Sequence, residues 1–259
     1  MADSSGDPLL RVENLVRRFG GIAATDNLSL DVASGELHAI IGPNGAGKTT
    51  LISQLTGQLL PNSGTIRFAG QEITRMPSYR RSALGLARSF QITSLLPDFT
   101  ALDNVALAAQ AHDGHSFYFW GSARKENHLR DAARSALARV GLEHRADVLV
   151  SQLSHGEQRE LELAVALATK PRLLLLDEPM AGLGITESAR MVKLLQELRR
   201  ELTIVLVEHD MEAVFALADR ITVLVYGRVI ASDAPAAIRS NEEVKRAYLG
   251  DQHAVTRHG

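Results

Sequence analysis

Eight consecutive residues, Gly42-Pro43-Asn44-Gly45-Ala46-Gly47-Lys48-Thr49, match the phosphate-binding pattern G-x-x-x-x-G-K-[ST] at every fixed position. Glycines let backbone amides turn inward around an anion, and the start of a helix adds unpaired N–H groups and a positive dipole end. The pattern predicts that Lys48 reaches the β- and γ-phosphates and that the Thr49 hydroxyl holds Mg²⁺. The predicted nucleotide contacts in this loop are Gly42, Asn44, Gly45, Ala46, Gly47, Lys48, Thr49 and Thr50.

The residues on either side supply the strand–loop–helix context that phosphate binding needs. Leu37–Ile41 is a short apolar run typical of a buried strand, and Thr50–Leu55 is typical of the opening of a helix. The alternative is a glycine-rich turn with no ligand. We favour phosphate binding, because a chance match in this context is uncommon.

A second segment offers the two groups that nucleotide hydrolysis needs besides a phosphate loop. Leu173–Leu176 is an apolar run typical of a strand buried on both faces, and Asp177 and Glu178 follow it directly. We expect Asp177 to hold Mg²⁺ through water and Glu178 to align the attacking water or accept its proton. The alternative is a pair of acids where a strand reaches the surface. The phosphate loop elsewhere in the chain favours catalysis.

A third segment has two compatible interpretations. Ser154 and Glu157 have the spacing of a capping box, which predicts that the helix Gln158–Ala168 starts there. The same Ser–Gly helix start, with Gly156, is also a possible anion site. On the residues alone, capping is the favoured interpretation.

Composition excludes several classes of function. The chain has 259 residues, of which 45% are hydrophobic and 22% charged, as is ordinary for a globular protein. The net charge of −2 provides no basic field for nucleic acid, and the lack of cysteine excludes disulfides and thiolate metal sites. The polar start Met1–Pro8 is not expected to be a secretion signal, and no stretch of about 18 apolar residues predicts a membrane span.

The order of the predicted elements indicates an α/β fold. Strands at Leu9–Val16, Asp26–Val32 and Thr65–Phe68 predict an antiparallel β layer around the loop, with a turn at Arg17–Gly21. From Arg172 onward strands alternate with helices, which predicts a mainly parallel sheet with helices on both faces. The elements predicted in this last part are a helix through Met191–Leu198, a strand Leu202–Val207, a helix Met211–Ala218, and a hairpin of Ile221–Val225 and Arg228–Ala231.

The middle of the chain, about Ala101 to Val150, has the composition and spacing of a mostly helical lobe. It contains four consecutive aromatic residues, Phe117–Trp120. Local packing under a loop and a patch that faces a partner are equally open interpretations of this run.

Taken in order, these segments resemble the ABC-transporter ATPase family, from about Leu10 to Gly250. The resemblance implies a phosphate-loop NTPase core with a mainly parallel sheet, an antiparallel β layer and an inserted helical lobe. It also implies that Phe19 stacks on adenine, Gln91 contacts Mg²⁺ and the attacking water, and His209 touches the γ-phosphate. The segment with Ser154, Gly156 and Glu157 corresponds to the family's signature and would cap ATP bound to a second subunit.

The resemblance further divides the chain into a nucleotide-binding core and a lobe that carries the signature. The implied parts are a polar N-terminal tail at 1–8, the core with its antiparallel β layer at 9–92 and 165–238, the helical signature lobe at 93–164, and a C-terminal helix and tail at 239–259.

Two features depart from the family pattern. His155 and Glu157 alter the signature, and Gly184 stands where the family usually has an aspartate that couples the two ATP sites. A glycine cannot make that side-chain contact, so the coupling is expected to be weaker or to be handled by backbone. Because the phosphate loop and Glu178 are unaffected, hydrolysis is still expected.

Within the family, the chain is similar to importer ATPases for branched-chain amino acids, a group that also includes carriers of other small polar solutes. The segments with this similarity are Ala87–Gln91, Ser154–Arg159, Glu178–Leu183 and Glu243–Gly250. The implied cofactors are ATP and Mg²⁺. The implied partners are a second ATP-binding subunit, identical or different, the integral membrane permease subunits and, indirectly, a periplasmic substrate-binding protein, with no nucleic acid. The implied location is peripheral, at the cytoplasmic face of the inner membrane.

The sequence leaves three alternative functions open. An exporter ATPase, such as one for lipopolysaccharide, shares the same motifs. A soluble ABC-type ATPase of DNA repair or translation is disfavoured, because the chain has neither a long coiled-coil insertion nor a second cassette. A regulator that binds nucleotide and hydrolyses it poorly is kept open by Gly184.

Overall fold

A computed structural model describes residues 7–89, 95–112 and 123–247. Its strands are β1 Leu10–Phe19, β2 Ile22–Val32, β3 Leu37–Ile41, β4 Ser63–Phe68, β5 Gln71–Glu72, β6 Leu86–Arg88, β7 Leu173–Asp177, β8 Thr203–Val207, β9 Arg220–Val225 and β10 Arg228–Asp233. Its α-helices are α1 Lys48–Leu55, α2 Ser78–Ala83, α3 Ala101–His112, α4 Ala123–Arg139, α5 His155–Ala168, α6 Ile185–Leu198, α7 Met211–Leu217 and α8 Pro235–Ser240, with 3₁₀ turns at Glu143–Arg145 and Val150–Gln152. Gln91 and the aromatic run Phe117–Trp120 lie outside the described residues.

The main sheet has six strands in the order β10-β9-β3-β8-β7-β6, and all neighbours except β9 and β10 pair in parallel. Parallel strands end at the same edge of a sheet. The ends of β3, β7 and β8, which lead into the phosphate loop, Asp177 and His209, therefore meet at one edge. The predicted α/β fold with a mainly parallel sheet is confirmed.

Successive residues of each central strand pack on opposite faces of this sheet, as a strand's period of two requires. Leu173 and Leu175 belong to an apolar cluster with α1 and the antiparallel strands. Leu174 and Leu176 belong to another cluster with α3, α4, α5 and α6. The apolar run at this strand is thus explained by burial on both sides.

The predicted antiparallel layer is a four-stranded sheet in the order β2-β1-β4-β5. The predicted turn at Arg17–Gly21 is wrong for most of its length. Strand β1 continues to Phe19, which pairs with Ile22, so only two residues form the turn. Gly20 has φ 57, and this left-handed conformation lets the strands reverse within that short distance.

Two short elements, α2 and β6, were not predicted because neither is long enough to show periodicity. Arg81 in α2 is fully buried, and its guanidinium donates to the carbonyl oxygens of Gln54 (2.7 Å) and Leu55 (2.8 Å) at the C-terminal end of α1. It also donates to Thr74 O at 3.0 Å and to Met76 O at 2.8 Å. A cation at a helix C-terminus satisfies carbonyls that have no partner within the helix. Arg81 thereby fixes the far end of the helix that starts at the phosphate loop.

The helical segment comprises α3, α4, the two 3₁₀ turns and α5, and it packs on the main sheet through α5. Helix α5 runs across the expected boundary between lobe and core at 164–165. Its residues Leu161 and Leu167 share an apolar cluster with Leu195 of α6. The division into lobes stays a prediction. None of the helices in the described ranges is long and apolar enough to cross a membrane.

A partly buried ion pair joins Glu36, the residue before β3, to Arg220 at the start of β9. Glu36 accepts hydrogen bonds from Arg220 Nε at 2.7 Å and from the Ala33 amide at 2.7 Å, and its Oε1 lies 3.1 Å from His38 Nδ1. Burial alone would raise the pKa of Glu36, but the hydrogen bonds from His38, Arg220 and Ala33 outweigh it and lower the pKa to about 2.

This lowered pKa predicts a stability contribution that depends on pH. Because the folded-state pKa lies below the ordinary 4.5, the contribution is present above pH 4.5 and is lost as the pH falls toward 2. The difference in unfolding free energy between the wild type and Glu36→Gln should shrink by about 2 kcal/mol between pH 6 and pH 3. Urea unfolding at each pH measures it. A difference that stays constant over this range would contradict the assignment.

Candidate active site

The phosphate loop is held in shape by two close backbone approaches. Gly42 has φ 155 and Gly47 has φ 102. A Cβ atom on Gly42 would lie 2.1 Å from the carbonyl oxygen of Leu224, and one on Gly47 would lie 2.1 Å from that of Ala24. Neither position has room for a side chain, so both glycines are required by packing as well as by conformation.

The turn between β9 and β10 closes over the same loop. The Gly227 amide donates to Ala46 O at 2.9 Å, and the Asp26 amide donates to Gly227 O at 2.9 Å. Tyr226 and Gly227 both have positive φ, 47 and 77, as a two-residue hairpin turn requires. The predicted hairpin is therefore confirmed, and it ties β2 and the loop to the main sheet.

Lys48 lies inside the loop that it is predicted to serve. Its Nζ donates to Gly42 O at 2.6 Å and to Pro43 O at 3.0 Å. Burial lowers the pKa of Lys48, and the negative charges of Glu178 and Asp177 oppose that shift. The ammonium group therefore has two carboxylates near it and carbonyl partners that phosphate oxygens can replace.

Asp177 is buried at the end of β7, and only one of its oxygens is paired. Oδ2 accepts a hydrogen bond from Arg88 Nη2 at 2.9 Å, whereas Oδ1 is buried without a hydrogen-bond partner. Burial raises the pKa of Asp177, and Arg88 acts in the opposite direction.

These groups fit the way in which proteins bind Mg²⁺. No cluster of three or more His, Cys, Asp or Glu that could hold a metal occurs within the described ranges. Mg²⁺ is usually bound by one or two protein oxygens together with phosphates and water rather than by a protein cage. The unpaired Oδ1 of Asp177 and the hydroxyl of Thr49, which is exposed, are oxygen donors of that kind.

Glu178 leaves the strand in a different direction from Asp177 because its backbone is left-handed. It has φ 52, which costs a residue other than glycine about 1–3 kcal/mol. Its amide donates to Val207 O of the neighbouring strand at 2.8 Å, and its side chain is partly exposed. Such strain is common at functional sites, and here it separates the predicted base, Glu178, from Asp177, the predicted metal ligand.

A buried residue that sequence reasoning did not single out, Glu208, joins the loop after Glu178 to His209. Its Oε1 accepts from the Met180 amide at 2.9 Å, and its Oε2 accepts from the His209 amide at 3.0 Å. The His209 side chain is 67% exposed at the edge of the sheet. The available signal was an acid between an apolar strand and a histidine, a pattern with no distinctive spacing.

The predicted capping box is confirmed, and helix α5 begins at His155 rather than at the expected Gln158. Ser154 Oγ accepts from the Glu157 amide at 3.2 Å, and Glu157 Oε2 accepts from the Ser154 amide at 2.8 Å. Arg145 Nε lies 2.9 Å from Glu157 Oε1. Burial alone would raise the pKa of Glu157, and the hydrogen bonds from Ser154 and Arg145 outweigh it and lower the pKa. Ser154 is exposed, so the anion-binding interpretation stays a prediction alongside capping.

The departures from the family pattern lie next to each other. A Cβ on Gly182 would lie 3.2 Å from His155 Nε2, and one on Gly156 would lie 2.6 Å from Glu187 Oε1. Gly184 precedes α6 with φ −74, a conformation open to any residue, and its amide donates to Glu187 Oε2 at 3.0 Å. The backbone therefore does not require glycine at 184.

The structure brings together most of the predicted residues. The phosphate loop, Asp177–Glu178 and His209 share the edge where β3, β7 and β8 end, while the helix start at Ser154 belongs to the face that carries α5. Phe19 is 49% exposed, and the Arg17 guanidinium lies 4.8 Å from its ring centre. The stacking of Phe19 on adenine stays a prediction. Gln91 lies outside the described residues.

The fold agrees with comparisons to known proteins. A family model described as "ABC transporter" matches residues 25–181. The chain belongs to the ABC transporter ATP-binding family. Members of this family bind and hydrolyse ATP. A second model, described as "Branched-chain amino acid ATP-binding cassette transporter", matches residues 228–254.

Individual relatives cover nearly the full length of this ABC ATPase. It is 39% identical over 252 residues to the high-affinity branched-chain amino acid transport ATP-binding protein LivG of Escherichia coli (strain K12). The aligned region covers 94% of this chain and 98% of LivG. The chain is similar to the ADP conformation of MJ1267, an ATP-binding cassette of an ABC transporter, with a TM-score of 0.83 and 28% identity over 95% of this chain and 100% of that one. A dimeric post-hydrolysis structure of the cassette MJ0796, bound to ADP and Pi, matches with a TM-score of 0.74 and 27% identity over 87% and 98%.

The geometry of Glu178 predicts a specific kinetic effect. Glu178→Gln should lower kcat for ATP by about 10²–10⁴-fold, because the amide can neither accept a proton nor orient the water as a carboxylate does. The affinity for ATP should be unchanged, since the phosphate loop is intact. Steady-state ATPase assays and equilibrium ATP binding measure both. Glu197→Gln, which makes the same change on the exposed side of α6, is the control. Wild-type turnover in Glu178→Gln would refute the assignment.

Proposed function

We propose that the chain is the ATP-hydrolysing subunit of an importer for branched-chain amino acids or related small polar solutes. The observation that carries the proposal is the match of its C-terminal segment, residues 228–254, to the branched-chain family model. The 39% identity to LivG over nearly the whole chain supports the same solute class. The matched segment is distant in sequence from the ATP-binding motifs, so it adds information that those motifs do not carry.

In the proposed mechanism, each ATP is bound between two subunits. Lys48 and the phosphate loop would hold the phosphates, Asp177 and Thr49 would hold Mg²⁺, and Glu178 would orient the attacking water. Mg²⁺ would supply charge neutralisation on the phosphate oxygens. We also propose that Phe19 contacts adenine, that Gln91 contacts the metal and its water, and that His209 contacts the γ-phosphate.

The second subunit would supply the helix start at Ser154. Helix α1 packs on one face of the main sheet, and α5 packs on the other. The exposed start of α5 is therefore proposed to cap ATP on a partner, where Ser154, Gly156 and Glu157 face the γ-phosphate. The dimeric MJ0796 structure with ADP and Pi supports this pairing by analogy.

The proposed permease contact is a groove between the core and the helical segment. Its cavity of about 400 Å³ is lined on one side by α2 and β6 and on the other by α3 and α5. Leu96 and Leu107 line it and are 41% and 43% exposed, respectively. An apolar groove of this kind suits an amphipathic helix. Docking there would place the subunit at the cytoplasmic face of the membrane.

Transport assays in the source organism test the function. Deletion of the gene should reduce uptake of labelled leucine, isoleucine and valine, and the wild-type gene should restore it whereas Glu178→Gln should not, because import depends on hydrolysis. Unchanged uptake of these amino acids and of other small polar solutes after deletion would contradict the proposal.

Two leucine variants test the groove in the same strain. Leu107→Glu places a charge in the groove and should prevent restored uptake while leaving the ATPase activity of the purified subunit intact. Leu149→Glu is the control, since Leu149 is exposed in the same helical segment but does not line the groove. Equal uptake by both variants would argue against docking there.

A further inference from the structure

Arg88 lies between the groove and the ATPase site and forms a hydrogen bond toward each. Its Nη2 donates to Asp177 Oδ2 at 2.9 Å, and its Nη1 donates to Gln58 Oε1 at 2.7 Å. The side chains of Arg88 and Asp177 are 9% and 0% exposed. An arginine holds two partners at once in this way because its planar guanidinium presents its donors in a rigid fork.

One of the two hydrogen-bond partners of Arg88 lies at the groove, and the other lies beside the phosphate loop. Arg88 and Gln58 line the groove, and Gln58 lies just after α1, the helix that begins at Lys48. Asp177 is the buried carboxylate beside the phosphate loop. One side chain therefore connects the groove wall with the residue that is proposed to hold the metal.

The ion pair between Arg88 and Asp177 leaves one oxygen of the carboxylate beside the phosphate loop without a partner. Asp177 Oδ1 and Arg88 Nε are both buried without a hydrogen bond. Such atoms are rare in folded proteins and are costly, so each needs an explanation. Holding Oδ2 alone leaves Oδ1 available to a ligand, which explains the unpaired oxygen of Asp177.

We propose that Arg88 is a positioning residue for ATP hydrolysis and that it transmits occupancy of the groove to Asp177. The permease as the natural occupant rests on the proposed function, whereas the link between groove and carboxylate is a property of this chain alone. A partner that displaces Gln58 or Arg88 would shift Asp177 Oδ2 and thereby change how Oδ1 is presented.

Arg88→Lys tests the positioning role, because a single ammonium group cannot reproduce the fork. Binding of a fluorescent ADP analogue is titrated with Mg²⁺. Loss of a residue that orients a metal ligand typically costs 10–100-fold, so the Mg²⁺ concentration for half-saturation should rise by about that factor. At saturating Mg²⁺, KM for ATP should change by less than about threefold while kcat falls, because the loss is in positioning rather than in phosphate binding.

Arg80→Lys is the matched control, since it makes the same change on an exposed side chain of α2. A structural role would lower the melting temperature without moving the Mg²⁺ dependence. Half-saturation of Arg88→Lys within twofold of wild type would overturn the positioning role. If Arg88→Lys does not fold, Gln58→Ala takes its place, because it removes only the hydrogen bond on the groove side. Its effect is measured with a fluorescent label in the groove.

A fluorescent label tests transmission to the groove without any partner. The chain has no cysteine, so Leu107→Cys allows one environment-sensitive label on the groove wall. Addition of ADP with Mg²⁺ should shift the label's emission, and the shift should be lost with Arg88→Lys or Gln58→Ala but kept with Arg80→Lys. A label that does not respond in the otherwise unaltered protein, or a shift that survives both variants, would overturn transmission. Failure of the importer proposal would show separately, as unchanged solute uptake after deletion of the gene, and would leave the label's response to ADP with Mg²⁺ as it is.

Discussion

The close approach of the phosphate loop to two neighbouring strands is the constraint on which the rest of the site depends. Gly42 lies against the backbone of β9 and Gly47 against that of β2, with no space for a Cβ at either position. The loop is thereby held between the antiparallel sheet and the main sheet, and the hairpin turn at Gly227 adds a hydrogen bond to Ala46. Because the shape of the loop depends on these neighbours, we expect phosphate binding to depend on three chain segments rather than on one motif.

The remaining groups reach the loop because parallel strands end at a common edge. Asp177 is the last residue of β7, and His209 follows the adjacent strand β8. Glu208 accepts hydrogen bonds from the backbone after both strands, at Met180 and at His209. Arg88 extends this connectivity to the groove. Asp177 has one oxygen held by Arg88 and one oxygen without a partner. In the proposed site, this arrangement would link metal binding to the position of Arg88, which lines the groove.

Much of this could be predicted from the sequence, and the exceptions have physical causes. The phosphate loop, the strand before Asp177 and the capping box at Ser154 have spacings that short-range chemistry dictates. The length of β1 could not be predicted, since cross-strand pairing with Ile22 overrides the apparent turn at its end. Arg81, Glu208 and Arg88 have no distinctive local pattern, because their roles come from partners distant in sequence, such as Gln54, Met180 and Asp177.

Nucleotide affinity of Gly47→Ala tests most directly whether this packing shapes the loop. The new methyl group would lie 2.1 Å from Ala24 O, so the loop must move and its amides must lose their alignment. The dissociation constant for ADP with Mg²⁺, measured by calorimetry on folded protein, is predicted to rise at least about tenfold, or about 1.4 kcal/mol. Gly21→Ala, where a Cβ meets nothing within 4 Å, should leave it unchanged. Wild-type affinity in Gly47→Ala would contradict the account.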